Sequence, residues 1–233
     1  NFIIYNSTII LTDYQELPGV FSNAPLDSSV NGSLWTLPWE LRMYVVLIGI
    51  GVLSYILKKM QITFPIVPAI IVFIAISGTA LYFHFHFNEN FHWFYYKFFR
   101  FASAFFIGGG IYVLRNHIYL NLKWVLLILS LLIFALYLNK ATFFIMYIFT
   151  MPYLVLCAAY LPKGKILKYN TLGDFSYGTY IYAWPIQQTI AINIIGISPT
   201  EMSILAGTIV IVLSAISWKF IEKPSMKLKR YFI

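Results

Sequence analysis

The sequence predicts an all-α fold, a polytopic transmembrane helix bundle of about seven spans. Three observations predict it. Of 233 residues, 60% are hydrophobic and only 10% are charged, where a soluble domain carries about a quarter charged residues. The mean hydropathy is +0.77, and apolar stretches near the ~20 residues that cross a bilayer core recur along the chain. The basic residues fall in short stretches between apolar runs, in every second gap.

Residues 1–36 contain no Lys or Arg but hold Asp13, Glu16 and Asp27. The stretch "ELPGVFSNAPLDSSVNGS" reads as a loop. Before it, "NFIIYNSTIIL" reads as the tail of a span. The chain begins with Asn1, without the basic region, apolar region and cleavage pattern of a signal peptide, so its start reads as a cut. Seven spans follow, roughly Trp39–Leu57, Phe64–Tyr82, Phe98–Leu114, Lys123–Leu138, Ala141–Leu161, Phe175–Ile195 and Met202–Ile221. The third and fourth are short and rely on snorkelling ends or a thinner local bilayer. No repeat and no linker is visible, so residues 1–233 read as a single domain with an outer loop region at 1–36.

Charge sets the expected orientation. Lys58 and Lys59 follow the first span, and Arg115 and Lys123 lie between the third and fourth. Lys163, Lys165 and Lys168 follow the fifth, and Lys223, Lys227, Lys229 and Arg230 follow the seventh. Those loops are expected in the cytoplasm, as is the carboxy-terminus, with residues 1–36 outside. The intervening loops hold Glu89 and Glu201, with Lys97 and Lys140 as exceptions. The net charge of +8 therefore reads as membrane topology, and the expected partner is the lipid bilayer rather than nucleic acid. The single Cys157 excludes an internal disulfide and a cysteine-based metal site. It reads as a small packing residue.

Four stretches could carry chemistry. The first is "NGSLWTLPWELRMY", Asn31 to Tyr44. Its Asn-Gly pair is a turn dipeptide. With Leu37 as N-cap, Pro38 falls at N1, where a missing N–H costs nothing, and Glu40 falls near the positive end of the helix dipole. Arg42 lies two residues deeper, on nearly the opposite face, so Glu40 and Arg42 do not simply pair. Ionisable groups at that depth usually face a bundle interior or a wet cavity. The second is "GDFSYGTYIYAWPIQQ", Gly173 to Gln188, in the sixth span. Tyr177, Tyr180 or Ile181, Trp184 and Gln188 share one helical face. Pro185 should kink the helix and free a carbonyl, and the amides of Gln187 and Gln188 need partners inside the membrane. Such a face can bind a ligand, or simply hydrogen-bond a neighbouring helix. The third is "FIGGG", Phe106 to Gly110, which allows close helix approach or a break beside a cavity. The fourth is "YFHFHFNENFHWFYYKFFR", where His84, His86 and His92 invite a metal reading. No carboxylate cluster accompanies them, so an aromatic interfacial belt is expected, with no metal. His117 reads as a solvated loop residue. No hydrolase, zinc-protease, Walker or dinucleotide pattern occurs.

The first two stretches, with "WKFIEKPSMKLK" from Trp218 to Lys229, resemble in order three segments of the membrane-bound acyltransferase-3 family. The nearest flavour is that of bacterial O-acetyltransferases acting on surface polysaccharides. The resemblance implies an inner-membrane enzyme that moves an acyl group, usually acetyl, from cytoplasmic acetyl-CoA or another acyl-CoA to a hydroxyl of a glycan outside. It carries over to Ser33, Trp35 and Glu40 in the first segment and to Tyr177, Tyr180, Trp184 and Gln188 in the second, with Arg42 a further candidate for orienting substrate. Glu222 and Pro224 mark the third as a structural end. The family's catalytic His and an Arg pair belong to early spans expected upstream of Asn1, so no catalytic residue is assigned here. Such a chain is expected to be inactive alone. A flippase-like bundle for a lipid-linked sugar is the alternative, and would move glycan independently of acyl-CoA. A polysaccharide polymerase would need larger outer loops than 1–36 and 82–97.

Overall fold

The structure is a computed structural model that describes residues 16–25, 27–61, 66–88 and 92–228. The span tail in residues 1–15, Glu89, Lys229 and Arg230 lie outside the described residues. Among the described residues the regular elements are helical, and the exception is an isolated bridge between Glu16 and Ser29. The helices are α1 (Leu37–Lys59), α2 (Ile66–Phe87), α3 (Trp93–Val113), α4 (Leu122–Leu138), α5 (Lys140–Tyr160), α6 (Ser176–Asn193), α7 (Pro199–Ser217) and the short α8 (Lys223–Leu228).

The first seven overlap the expected spans, with α2 running on to Phe87 past the expected Tyr82. Four segments are long and apolar enough to cross a membrane: Gly32–Lys59, Ile66–Phe87, Lys140–Tyr160 and Pro199–Leu228. Leu122–Leu138 is a shorter apolar helix. The helix α3 starts five residues before the expected Phe98. The aromatic belt that looked like loop continues the helix, and Lys97 lies 3.7 Å over the Trp93 ring one turn away.

The described residues fall into two compact units. One comprises the residues up to Arg42 with those from Lys168 onward, and the other comprises Met43–Leu167. No loop linker separates them. One junction lies inside α1, and the other inside the 3-10 segment Gly164–Thr171.

In the Met43–Leu167 unit, Met43 and Ile50 pack with Ile71 and Ala75 of α2 and with Ala102 and Phe106 of α3. Small residues let α2 and α3 approach closely. Thr79 donates to the Ala75 carbonyl at 2.6 Å and its oxygen lies 2.8 Å from the Ser103 hydroxyl. The "FIGGG" stretch does not break α3. Gly109 faces α2, where an added Cβ would stand 3.1 Å from Ile71, whereas one at Gly108 would meet nothing within 4 Å. Close approach is therefore the role of Gly109, and Gly108 lines a cavity.

In the other unit, α6 and α7 pair through small residues. A Cβ at Gly178 would stand 2.8 Å from Ser214 Cα. A capping box starts α7: Ser198 Oγ accepts from Glu201 N–H, and the Glu201 carboxylate accepts from Ser198 N–H. After α7 the chain takes a wider π turn over Trp218–Glu222, where Lys223 N–H reaches the Trp218 carbonyl.

Candidate functional site

The segment 27–36 lies along α6, and every fourth residue of that helix holds it. Gln188 Nε2 donates to the Asp27 carbonyl at 2.6 Å, and Trp184 Nε1 donates to the Ser29 carbonyl at 3.2 Å. The Tyr180 hydroxyl donates to the Ser33 carbonyl. Positions 180, 184 and 188 form one stripe because a helix repeats every 3.6 residues. The segment runs antiparallel to the helix, and its backbone is hydrogen-bonded by side chains rather than by a strand.

The Asn-Gly pair does not serve as a turn dipeptide. Asn31 has φ −147° and N-caps a 3-10 turn, Gly32–Thr36, with its Oδ1 accepting from Ser33 N–H at 3.1 Å. Its Nδ2 donates to the Ile181 carbonyl at 2.8 Å. That carbonyl is four residues before Pro185, the one left without a helical N–H by the proline. Gly32 has no side chain because Trp184 lies across it: an added Cβ would stand 2.7 Å from the indole. Asn31 and Gly32 therefore both answer to features of α6.

The expected N-cap at Leu37 is corrected. Leu37 has helical dihedrals, and the 3-10 turn runs directly into α1. Leu37 N–H takes the Leu34 carbonyl, so the missing N–H of Pro38 orphans nothing there. Glu40 accepts from the Thr36 hydroxyl at 3.1 Å, and that hydroxyl lies 2.8 Å from the Tyr180 hydroxyl. The Arg42 guanidinium lies 4.4 Å over the Trp39 ring. Glu40 and Arg42 thus diverge, as their spacing requires.

A cavity of about 720 Å³ opens beside this network. Tyr180 and Thr179 line one wall, and Asp174, Ser176 and Trp218 line others. The Asp174 carboxylate accepts from the Ser176 hydroxyl at 2.5 Å and its N–H at 3.0 Å, which holds its carboxyl below the usual carboxylate range. Gly173, at φ +128°, passes against the Trp218 indole where any side chain would collide. The start of the second segment therefore touches the third. Within the third, Ser217 donates to Glu222 at 2.8 Å across the π turn that precedes Pro224. This is a structural end.

The structure brings together Ser33, Glu40, Tyr180, Trp184 and Gln188 around the 27–36 segment. Trp35 lies in the same 3-10 turn. Tyr177 does not join the stripe and is 60% exposed. Gln188 is only 1% exposed, and its Oε1 has no hydrogen-bond partner. Sequence reasoning does not single out Thr36, and it reads Asn31 and Gly32 only as a turn dipeptide and Trp218 only as the start of the third segment. The signal for Asn31 was present, since Pro185 leaves one carbonyl wanting a donor. The His-rich stretch forms an aromatic cluster, in which His86 stacks 4.0 Å from Phe144. Cys157 is buried in α5.

No family model matches the chain, and no solved structure matches it. Over 207 residues it is 27% identical to an O-acetyl transferase of Shigella phage Sf6. The similarity covers 85% of this chain and 57% of the phage protein, so the chain spans little more than half the length of that relative.

Proposed function

We propose that the chain is part of a membrane O-acyltransferase. It would move an acyl group, in the first instance acetyl, from acyl-CoA to a hydroxyl of a cell-surface polysaccharide or lipid-linked glycan. In the transfer, the acceptor oxygen attacks the thioester carbonyl, its proton passes to a general base, and CoA leaves as the thiol. The base is proposed to lie outside these 233 residues, as the acyltransferase-3 resemblance implies. These residues are proposed to build a substrate-facing wall of the transfer site. Asn31, Trp184 and Gln188 position the 3-10 turn, and Glu40, Thr36 and Tyr180 present polar groups beside the cavity.

One observation carries the reading. The three segments picked out by resemblance, far apart in sequence, touch in series: the first meets the second at Tyr180 and Trp184, the second meets the third at Gly173 and Trp218, and residues of the second and third line one cavity. Similarity to the phage O-acetyl transferase supports the same chemistry. In the proposed orientation the basic loops face the cytoplasm of a bacterial inner membrane, where acyl-CoA resides. In that orientation residues 27–36 run along α6 toward its Ser176 end, and the cavity of about 720 Å³ falls on the cytoplasmic side. The test is glycan acetylation by the full-length protein carrying Glu40→Gln or Trp184→Ala, read by mass spectrometry of the glycan. Both should lose at least about tenfold in rate, of the order that a lost polar or positioning contact costs. Wild-type acetylation in both would overturn the assignment.

A further inference from the structure

The Met43–Leu167 unit holds a second cavity, of about 820 Å³, between α3 and α5. Tyr82 and Arg100 stand at one end, and Arg115 stands at the other. Between them the walls are mostly apolar, with Ile107 and Ile111 on α3 and Ile148 and Val155 on α5, and with Ser103 and Tyr147 as polar interruptions. Gly108 leaves that stretch clear, since no atom lies within 4 Å of where its side chain would begin. From Arg100 to Arg115 is fifteen residues of chain, or about 22 Å at helical rise. A single leaflet offers hydrocarbon to a depth of about 15 Å, half of the ~30 Å core. The cavity therefore runs deeper than a phospholipid chain does within its own leaflet.

Its charge is one-sided. The sequence of this unit holds nine Lys and Arg, among them Arg100 and Arg115, against a single acidic residue, Glu89. Arg100 sits seven residues inside α3, where an ionised group needs a counter-charge or water. Helical side chains lean toward the helix start, a direction that would carry the Arg100 guanidinium toward the Trp93 end. A guanidinium at the rim of a hydrocarbon channel matches a phosphate bearing a long apolar chain. A polar arm such as pantetheine would leave its amides without partners along these walls.

We propose that the α3–α5 cavity holds the hydrocarbon chain of a long-chain isoprenoid phosphate, with the phosphate on Arg100. The acceptor glycan then reaches the protein as the cargo of such a lipid. Only the naming of that cargo rests on the O-acyltransferase reading.

The experiment uses the full-length protein in phosphatidylcholine nanodiscs. The probe is a long-chain isoprenyl phosphate with a photoactivatable group near its chain end, and labelled peptides are mapped. Labelling should saturate and fall on α3 and α5. Unlabelled isoprenyl phosphate should compete, with the corresponding isoprenol at least about tenfold weaker. Arg100→Gln should weaken binding about tenfold, and Gly108→Leu should abolish labelling by filling the channel without touching the phosphate end. Either substitution having its effect in a folded protein supports the site. Phosphatidylglycerol competing as well as the isoprenyl phosphate would assign the cavity to bilayer lipid and overturn the proposal. So would labelling away from α3 and α5, or labelling unchanged in both variants. Saturable, Arg100-dependent labelling in a protein that acetylates no glycan would uphold the lipid site while removing the O-acyltransferase reading.

Discussion

Replacing Asn31 tests whether the proline in α6 and the segment beside it were matched to each other. Asn31→Ala removes two things. The N-cap of the 3-10 turn, with Oδ1 on Ser33 N–H at 3.1 Å, is worth about 1 kcal/mol. The Nδ2 donor on the Ile181 carbonyl, at 2.8 Å, leaves a part-buried acceptor orphaned, a further ~1–3 kcal/mol. The expected loss is about 2–4 kcal/mol. Pro185→Ala supplies the helical N–H that Ile181 lacks, so in that background Asn31→Ala should cost only the cap, about 1 kcal/mol. The coupling is therefore about 1–3 kcal/mol, well above the ~0.3–0.5 kcal/mol scatter of independent sites. The assay is a double-mutant cycle on reversible unfolding of the full-length protein in mixed micelles. Additive effects would refute the claim that Asn31 answers the proline, even if Asn31→Ala alone were destabilising.

Three further outcomes follow from the same geometry. Gly32→Ala drives a methyl to 2.7 Å from the Trp184 ring, whose Nε1 is tied to Ser29, and should cost about 1–3 kcal/mol with a shift in tryptophan emission. Unchanged stability would mean the indole does not lie there. Gln188→Met deletes one unpaired buried oxygen but orphans the part-buried Asp27 carbonyl, so the two effects oppose and the net loss should stay below about 2 kcal/mol. A large loss would show that Oε1 has a partner. The depressed Asp174 carboxyl contributes to the start of α6 above the ordinary carboxylate range, and that contribution is lost as pH falls through its folded value. A carbon-detected titration should place its midpoint below that of a model Asp, and Ser176→Ala should move it up.

The helices were legible because membrane spans are written in long apolar runs, and their ends in charge. What holds residues 27–36 was not legible. A segment fixed by side chains at 180, 184 and 188 has no period of its own, and reads as a loop of Pro, Gly, Ser and Asn. Asn31 and Gly32 carried a familiar local explanation, the turn dipeptide, which concealed a long-range one. Pro185 pointed the right way, because it states that one carbonyl must be met from outside the helix. Only the fold shows which donor meets it. The α3–α5 cavity was half legible: "FIGGG" offered close packing or a cavity, and Gly109 and Gly108 take one role each.

The polar network that joins the first cavity at Tyr180 has fewer protons than contacts. Tyr180 brings one hydroxyl proton and Thr36 brings one. They serve three contacts: Tyr180 to Ser33, Tyr180 to Thr36, and Thr36 to Glu40. With Glu40 only accepting, one contact lacks a donor at any moment. A sugar hydroxyl donating to Glu40 would release Thr36 to serve Tyr180 and complete the set. Glu40→Gln separates this from a structural role, because the amide both accepts and donates. It can give the missing proton to Thr36, so stability should hold within about 0.5 kcal/mol, as for most exposed positions. It cannot accept from the sugar and donate to Thr36 with the strength of a carboxylate, so glycan acetylation should fall. Tyr180→Phe removes a proton from the same set and should lower stability by about 1 kcal/mol. If Glu40→Gln destabilised the protein as much as Tyr180→Phe while leaving acetylation intact, Glu40 would be a scaffold residue and the acceptor would have to be sought elsewhere.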